Sequence, residues 1–206
     1  MNVVITGVGG QGTVLASRLV AYMGMEAGLP VRTAETIGMA QRGGCVTSHV
    51  RIGADPDDLI ASPLVPQGTA DLVLAFEPGE GTRALSYLSG TGGMVVSSRP
   101  IIPVTASLAS GGYDPEAHLA YLADRLGDRL VVVDPAVLAG ELGSDRALNV
   151  TMLGVAVRSG ALTFTRDQLE SAVRQLVKPR FVDMNLSAIA LGERIFDEYH
   201  EQMASS

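Results

Sequence analysis

The chain has 206 residues, 47% hydrophobic and 18% charged, with a formal net charge of −7. That balance belongs to a globular protein that can bury a proper core, and it argues against nucleic acid or an anionic membrane as the main partner. Cys45 is the only cysteine, which excludes an internal disulfide and an iron–sulfur cluster held by this chain's own thiolates, since a cluster takes about four. No apolar run reaches the roughly 18 residues of a membrane span. "MNVVITG" carries no basic leader segment, so a cytoplasmic location is expected.

From the N-terminus, "NVVITG" is an apolar run ended by Gly7 and predicts a buried parallel strand. From Gln11 to Ala27, Leu15, Leu19 and Met23 recur at helical spacing with Val20 beside them, and "GLP" closes the helix. "VRTAETI" predicts a second strand, which makes a β-α-β unit with a right-handed crossover and its two strands as parallel neighbours. "GMAQRGGCVTSHVRIG" predicts a Gly-rich loop feeding a strand over 45–52, and "ADLVLAFEPGEGTRALSYL" reads strand, turn, helix, with Pro78 at a favoured first helical position. "GGMVVSS" is a further strand. Asp114-Pro115 opens a helix to about Leu126, and "RLVVVDP" is another strand. Helices follow over 135–142, 148–158, 166–177 and 183–200, the third opened by the capping-box pair Thr165 and Gln168. Strands alternating with helices predict an α/β fold: a Rossmann-like, open, mostly parallel sheet with helices on both faces and a helical C-terminal part, all within one domain over 1–206.

Gly7, Gly9 and Gly12 satisfy G-x-G-x-x-G between a strand and a helix. Such a turn allows close approach of the backbone, and the helix start offers unbonded N–H groups and a positive dipole end to an anion. Glu35, near the end of the second predicted strand, stands where an acid can bind an adenosine ribose. On these residues alone a stand-alone NAD-dependent oxidoreductase, or another nucleotide-binding protein, is one reading. Three features oppose it: the chain is short for an added substrate domain, a Gly- and Arg-containing loop follows Glu35 where a helix is usual, and Gln11 can give its amide to a ligand or a protein. The plainer reading is that the glycines only permit tight β–α packing.

Among single residues, Arg42 suits a bidentate contact to phosphate or carboxylate, or simply caps a helix. Glu77 is expected at the C-terminal edge of its strand, in function or as organiser of the turn before Pro78. Cys45 reads as a packed thiol with no partner base. His49, His118 and His200 show no metal-ligand spacing. Asn149 suits the cap of the helix that begins there.

The combination of "GVGGQGTVLASRLV" with "ETIGMAQRGGCVTSHVRIG" resembles the gamma-type domain of 2-oxoacid:ferredoxin oxidoreductases, and within them the small subunits of the indolepyruvate enzymes. "DLVLAFEPGEGTRALSYLSGTGGMVVSSRPIIPV", "LNVTMLGVAV" and "FVDMNLSAIALGERIF" extend the resemblance over nearly the whole chain. Asn149 falls on a position of that pattern. "SSRPIIPV" departs from it, and Ser97 and Ser98 receive no role.

The resemblance implies oxidative decarboxylation of a 2-oxoacid, here an aryl one such as indolepyruvate, to an acyl-CoA with reduction of ferredoxin. It places thiamine diphosphate and the iron–sulfur clusters on a large alpha subunit, which also meets ferredoxin. This chain, with one cysteine and no Gly-Asp-Gly diphosphate motif, is expected to carry no cofactor and to be inactive alone, as a free chain or a homo-oligomer. No catalytic residue and no metal ligand is assigned to it. Its expected contribution is a binding wall for coenzyme A or for the partner, made of Gly7, Gly9, Gly10, Gln11 and Gly12 with Arg42, Gly43 and Gly44. Both loops are expected at the C-terminal edge of the sheet.

Overall fold

The computed structural model describes residues 1–38, 44–101 and 113–204. In chain order it forms β1 (Asn2–Val8), α1 (Thr13–Glu26), β2 (Val31–Ile37), β3 (Cys45–Ile52), β4 (Ala70–Ala75), α2 (Pro78–Ala84), β5 (Leu88–Ser97), α3 (Pro115–Leu126) and β6 (Leu130–Val133). The helices α4 (Pro135–Leu142), α5 (Leu148–Arg158), α6 (Arg166–Leu176) and α7 (Val182–Ala204) complete it. The strands make one sheet in the order β2-β3-β1-β4-β5-β6. β1, β4, β5 and β6 are parallel, whereas β3 runs antiparallel to both β1 and β2.

The sheet order corrects one expectation. β1 and β2 point the same way but are not neighbours, because β3 lies between them. Two physical reasons combine. A connection of only residues 38–44 returns the chain antiparallel beside β2, since a parallel partner needs a long crossover. The interior place then goes to the more apolar strand: β3 buries Val46, Val50 and Ile52, whereas β2 exposes Arg32, Thr33, Glu35 and Thr36 as a polar edge.

Alternation along the strands feeds two cores. Val3, Ile5, Leu72, Leu74 and Val95 pack with buried residues of α1, α4, α5, α6 and α7, among them Leu19, Met23, Leu153 and Ile189. Val4, Val73, Ala75, Met94 and Val96 pack on the other face with Ala84 of α2 and Leu122 and Leu126 of α3. Helix starts follow their capping residues. Asp114 accepts the Glu116 and Ala117 N–H groups, Asp134 accepts that of Ala136, and Thr165 and Gln168 form the reciprocal box. α1 starts later than periodicity alone suggests, because Gly12 is left-handed at φ 85° and ends the non-helical segment. No helix among the described residues is long and apolar enough to cross a membrane.

α5 and α7 touch backbone to backbone through two glycines. A Cβ on Gly192 would lie 2.2 Å from the Thr151 carbonyl oxygen, and one on Gly154 would lie 2.6 Å from that of Ile189. On the opposite face, buried His49 holds the long connection after β3: its Nδ1 accepts the Val65 N–H at 3.3 Å, and its ring meets Tyr87 edge-on. That bond requires the neutral ring with its proton on Nε2.

Gly192→Ala should destabilise the chain by about 3 kcal/mol, the upper part of the usual overpacking range, whereas Gly140→Ala, where an added Cβ meets nothing within 4 Å, should stabilise α4 by about 0.5–1 kcal/mol; urea unfolding of the two variants measures both signs. Burial holds His49 below its ordinary value of 6.5, so the unfolded chain binds the extra proton first and stability falls as pH drops below that value. His49→Gln, which keeps an acceptor but does not titrate, should flatten the acid side of a melting-temperature profile.

Candidate functional site

β1 sends its following helix toward the β2 side of the sheet, and β4 sends its own toward β5. The C-terminal ends of β1 and β4 therefore flank the point where the chain direction divides, the usual ligand position in open α/β sheets. The glycine loop sits there.

The register pairs Val8 with Cys45, so the residues just beyond, Gly9 and Gly44, face one another. The Gly9 N–H donates to the Gly44 carbonyl at 3.1 Å. The first loop and the end of the "AQRGG" loop thus meet on one edge, through the β1–β3 pairing rather than through a β1–β2 neighbourhood. Arg42 and Gly43 lie outside the described residues.

Gln11 ties the loop on its other side. Its backbone N–H donates to the Val8 carbonyl at 3.2 Å. Its Oε1 accepts the Val8 N–H at 2.7 Å, and its Nε2 donates to the Phe76 carbonyl at 2.8 Å. The side-chain amide, considered above for an external contact, is used inside the chain. Gly7 is required by this arrangement, since a Cβ there would lie 2.7 Å from Gln11 Oε1. Gly10, at φ 97°, forms an exposed tip with Gly9. The N–H groups of Gly10 and Gly12 have no acceptor among the described residues, and they stand at the start of α1, where the helix dipole is positive.

Asn149 is not at the N-cap position of α5, although its Oδ1 accepts the Val150 N–H of the first turn at 3.0 Å. That place belongs to Ala147, and Asn149 sits one position inside the helix, buried, with its amide against the loop. Asn149 Nδ2 donates to the Gly12 carbonyl at 3.5 Å and would lie 2.8 Å from a Cβ on Gly12. Glu35 is exposed on edge strand β2. With β3 intervening, it stands two strand spacings from β1, about 10 Å, which separates it from the loop it would serve in a dinucleotide site.

Beside the loop lies a polar cluster that sequence reasoning found only in part. Buried Glu77 caps α2, its Oε2 accepting the Glu80 N–H at 2.9 Å and its Oε1 the Tyr113 hydroxyl. The Tyr113 oxygen in turn accepts the Gly79 N–H at 2.9 Å. Burial and then the Glu77 carboxylate push the Tyr113 hydroxyl far above its ordinary range. Glu80, also buried, pairs with Arg83 and accepts the Thr6 hydroxyl at 3.5 Å. Cys45 lies 3.5 Å from Thr47 Oγ1, and burial followed by Glu80 raises its thiol, which keeps it protonated and unsuited to nucleophilic attack. The legible signal was the "EPGE" spacing, which puts two carboxylates on a helix start.

The histidines serve local packing. His118 Nδ1 meets Thr82 Oγ1 at 3.0 Å, and His200 stacks on Phe196. Among the described residues no group of three or more His, Cys, Asp or Glu is placed to hold a metal ion. A cavity of about 600 Å³, lined by Met1, Asp71, Gly92, Arg129 and Tyr199 among others, opens at the N-terminal edge of the sheet, away from the glycine loop.

Residues 2–195 match the family model described as pyruvate ferredoxin/flavodoxin oxidoreductase. The chain is 36% identical over 192 residues to the indolepyruvate oxidoreductase subunit IorB of Archaeoglobus fulgidus, covering 93% of each chain. It is 34% identical over 198 residues to the same subunit of Thermococcus kodakarensis, covering 96% of each. The fold is shared with the gamma subunit of a keto/oxoacid ferredoxin oxidoreductase from Geobacter sulfurreducens, at a TM-score of 0.65 and 20% identity, over 96% of this chain and 98% of that one. It also matches the 2-oxoglutarate:ferredoxin oxidoreductase of Magnetococcus marinus, solved with 2-oxoglutarate, coenzyme A and succinyl-CoA bound, at a TM-score of 0.67 and 20% identity, over 96% of this chain but 31% of that one. Matched over almost its full length, the chain belongs to the pyruvate ferredoxin/flavodoxin oxidoreductase family.

Proposed function

We propose that this chain is the small, non-autonomous subunit of an indolepyruvate-type 2-oxoacid:ferredoxin oxidoreductase, with residues 1–206 acting as one gamma-type domain. The observation that carries the reading is the similarity to archaeal indolepyruvate oxidoreductase subunits over nearly the whole of both chains. In the proposed reaction an aryl 2-oxoacid loses carbon dioxide, its acyl group passes to the coenzyme A thiol, and two electrons reduce two ferredoxins. Thiamine diphosphate supplies the carbanion sink and iron–sulfur clusters the electron path. Neither fits this chain: one cysteine cannot hold a cluster, and the sequence has no Gly-Asp-Gly diphosphate motif. Both belong on a large partner subunit.

The chain's own part is placement. The Gly10 and Gly12 N–H groups and the Arg42 guanidinium are suited to an anionic oxygen group, either a coenzyme A phosphate or a carboxylate of the large subunit. Gly9 and Gly10 are exposed, and Gly10 and Gly12 take a backbone conformation that favours glycine. No proton transfer or bond cleavage is assigned to Glu77, Glu80 or Cys45, whose polar atoms are already engaged with one another and with α2.

Purified anaerobically by itself, the chain should be colourless and bind no thiamine diphosphate. Co-expressed with a large subunit of the same enzyme type, it should be recovered in a brown, cluster-bearing complex. A stoichiometric cluster on the isolated chain would contradict the division of labour. In the assembled enzyme, Arg42→Ala should raise KM for coenzyme A about tenfold, as expected for one lost charge-assisted hydrogen bond, with thiamine diphosphate content unchanged. An unaltered KM would remove coenzyme A from this surface.

A further inference from the structure

At the N-terminal edge of the sheet, the cavity of about 600 Å³ lies between β4, β5 and β6 and the last turns of α7. Its size falls within the roughly 300–1,000 Å³ usual for small-molecule sites. Glycine on β5 makes room for it. A Cβ on Gly93 would stand at ordinary contact distances from the Arg129 carbonyl, 3.5 Å, and from Ala161, 3.9 Å, both of which line the same space. The backbone at Gly93 is not left-handed, so it would accept a side chain. Glycine leaves the space open instead.

The walls divide by chemistry. Val95 and Val131 of the sheet and Phe196 of α7 form an apolar recess. Beside it, in the turn before β6, stand Asp128 and Arg129, consecutive residues of opposite charge. Among the described residues neither forms an ion pair, with the other or with any third group. Arg129 is tied to β5 by one bond, its Nη1 donating to the Gly92 carbonyl at 2.8 Å, and its guanidinium has further donors to give. Asp71, the other acid of the lining, already accepts the Asn2 N–H at 2.7 Å. His200 is stacked on Phe196. Tyr199 faces the field of Asp128: burial, and then that carboxylate, raise its hydroxyl, which stays a protonated donor.

We propose that this cavity binds a free α-amino acid with an apolar side chain. Its carboxylate meets Arg129, its ammonium meets Asp128, and its side chain fills the recess against Val95, Val131 and Phe196. A ligand with a carboxylate alone would bring a second anion beside Asp128, and one with an ammonium alone a second cation beside Arg129. Only a molecule carrying both charges on one carbon answers both walls, which also separates a free amino acid from either end of a peptide. The site belongs to this chain by itself and does not depend on the subunit role proposed above.

Calorimetric titration of the full chain with L-phenylalanine tests it. The amino acid should bind saturably and raise the melting temperature. L-phenylalaninamide, without the carboxylate, and N-acetyl-L-phenylalanine, without the ammonium, should each bind at least about tenfold more weakly, one charge-assisted hydrogen bond being lost in each. Asp128→Asn should lower L-phenylalanine to the level of the N-acetyl compound, and Arg129→Met to that of the amide. Gly93→Ala, which narrows the recess and leaves both charges in place, should weaken all three compounds. Arg129→Met also gives up the Gly92 bond; should it not fold, Asp128→Asn and the two analogues on the wild-type chain still decide. No binding of L-phenylalanine would overturn the proposal, and so would an analogue that binds as tightly as the amino acid. Binding that both Asp128→Asn and Gly93→Ala leave untouched would place the ligand elsewhere and overturn it too.

Discussion

The pairing of β1 with two unlike neighbours is the constraint on which the rest of the molecule depends. On one side β1 runs antiparallel to β3, with Val8 opposite Cys45; on the other it runs parallel to β4. The antiparallel register delivers Gly44 to Gly9, and the parallel one brings Phe76 within reach of Gln11. A loop rich in glycine is entropically expensive to hold in one shape. Here its ordering is distributed over three anchors: β3, β4 and Asn149 on α5. The loop's shape is therefore a property of the sheet order as much as of the G-x-G-x-x-G spacing.

That division also explains what could and could not be read from the amino-acid sequence. The strands and helices were legible because apolar runs, helical spacing and caps such as Thr165–Gln168 are local signals. Strand order was not, because an apolar run reports burial and says nothing of its neighbour. The short link over 38–44 carried the only hint that β3 turns back beside β2. The loop's glycines were legible as a motif, but their individual reasons were not. Gly7 answers to the Gln11 side chain, and Gly12 to Asn149, far along the chain. An asparagine near a helix start looks the same whether it caps that helix or faces a distant loop. Tyr113 reaches Glu77 from another element and left no local trace.

The buried carboxylates beside the loop have a second physical meaning. Glu77 and Glu80 sit close together at a sheet edge of an acidic protein, which would repel an approaching anion if they were free. Each is engaged: Glu77 by the Glu80 N–H and Tyr113, Glu80 by Arg83 and Thr6. Buried polar groups that satisfy one another stiffen a site without offering it chemistry. The edge keeps its donors at the tip and its acceptors below.

The order in which the chain leaves a ribosome gives the two-core arrangement a further consequence. The sheet is complete at Val133, yet the face carrying Val3, Ile5, Leu72 and Leu74 is covered in large part by Met152, Leu153, Ala188 and Ile189, which follow later. While α5, α6 and α7 are still being made, the nascent protein holds a broad apolar surface bare to water, the situation in which chains associate wrongly. Of the two edges of the sheet, the one made by β2 is studded with Arg32, Thr33, Glu35 and Thr36, whereas β6 at the other is a short apolar strand. Polar side chains along an open edge discourage strand-to-strand pairing. β2 thus guards its own edge of the sheet during synthesis, in the interval before the last helices close the face.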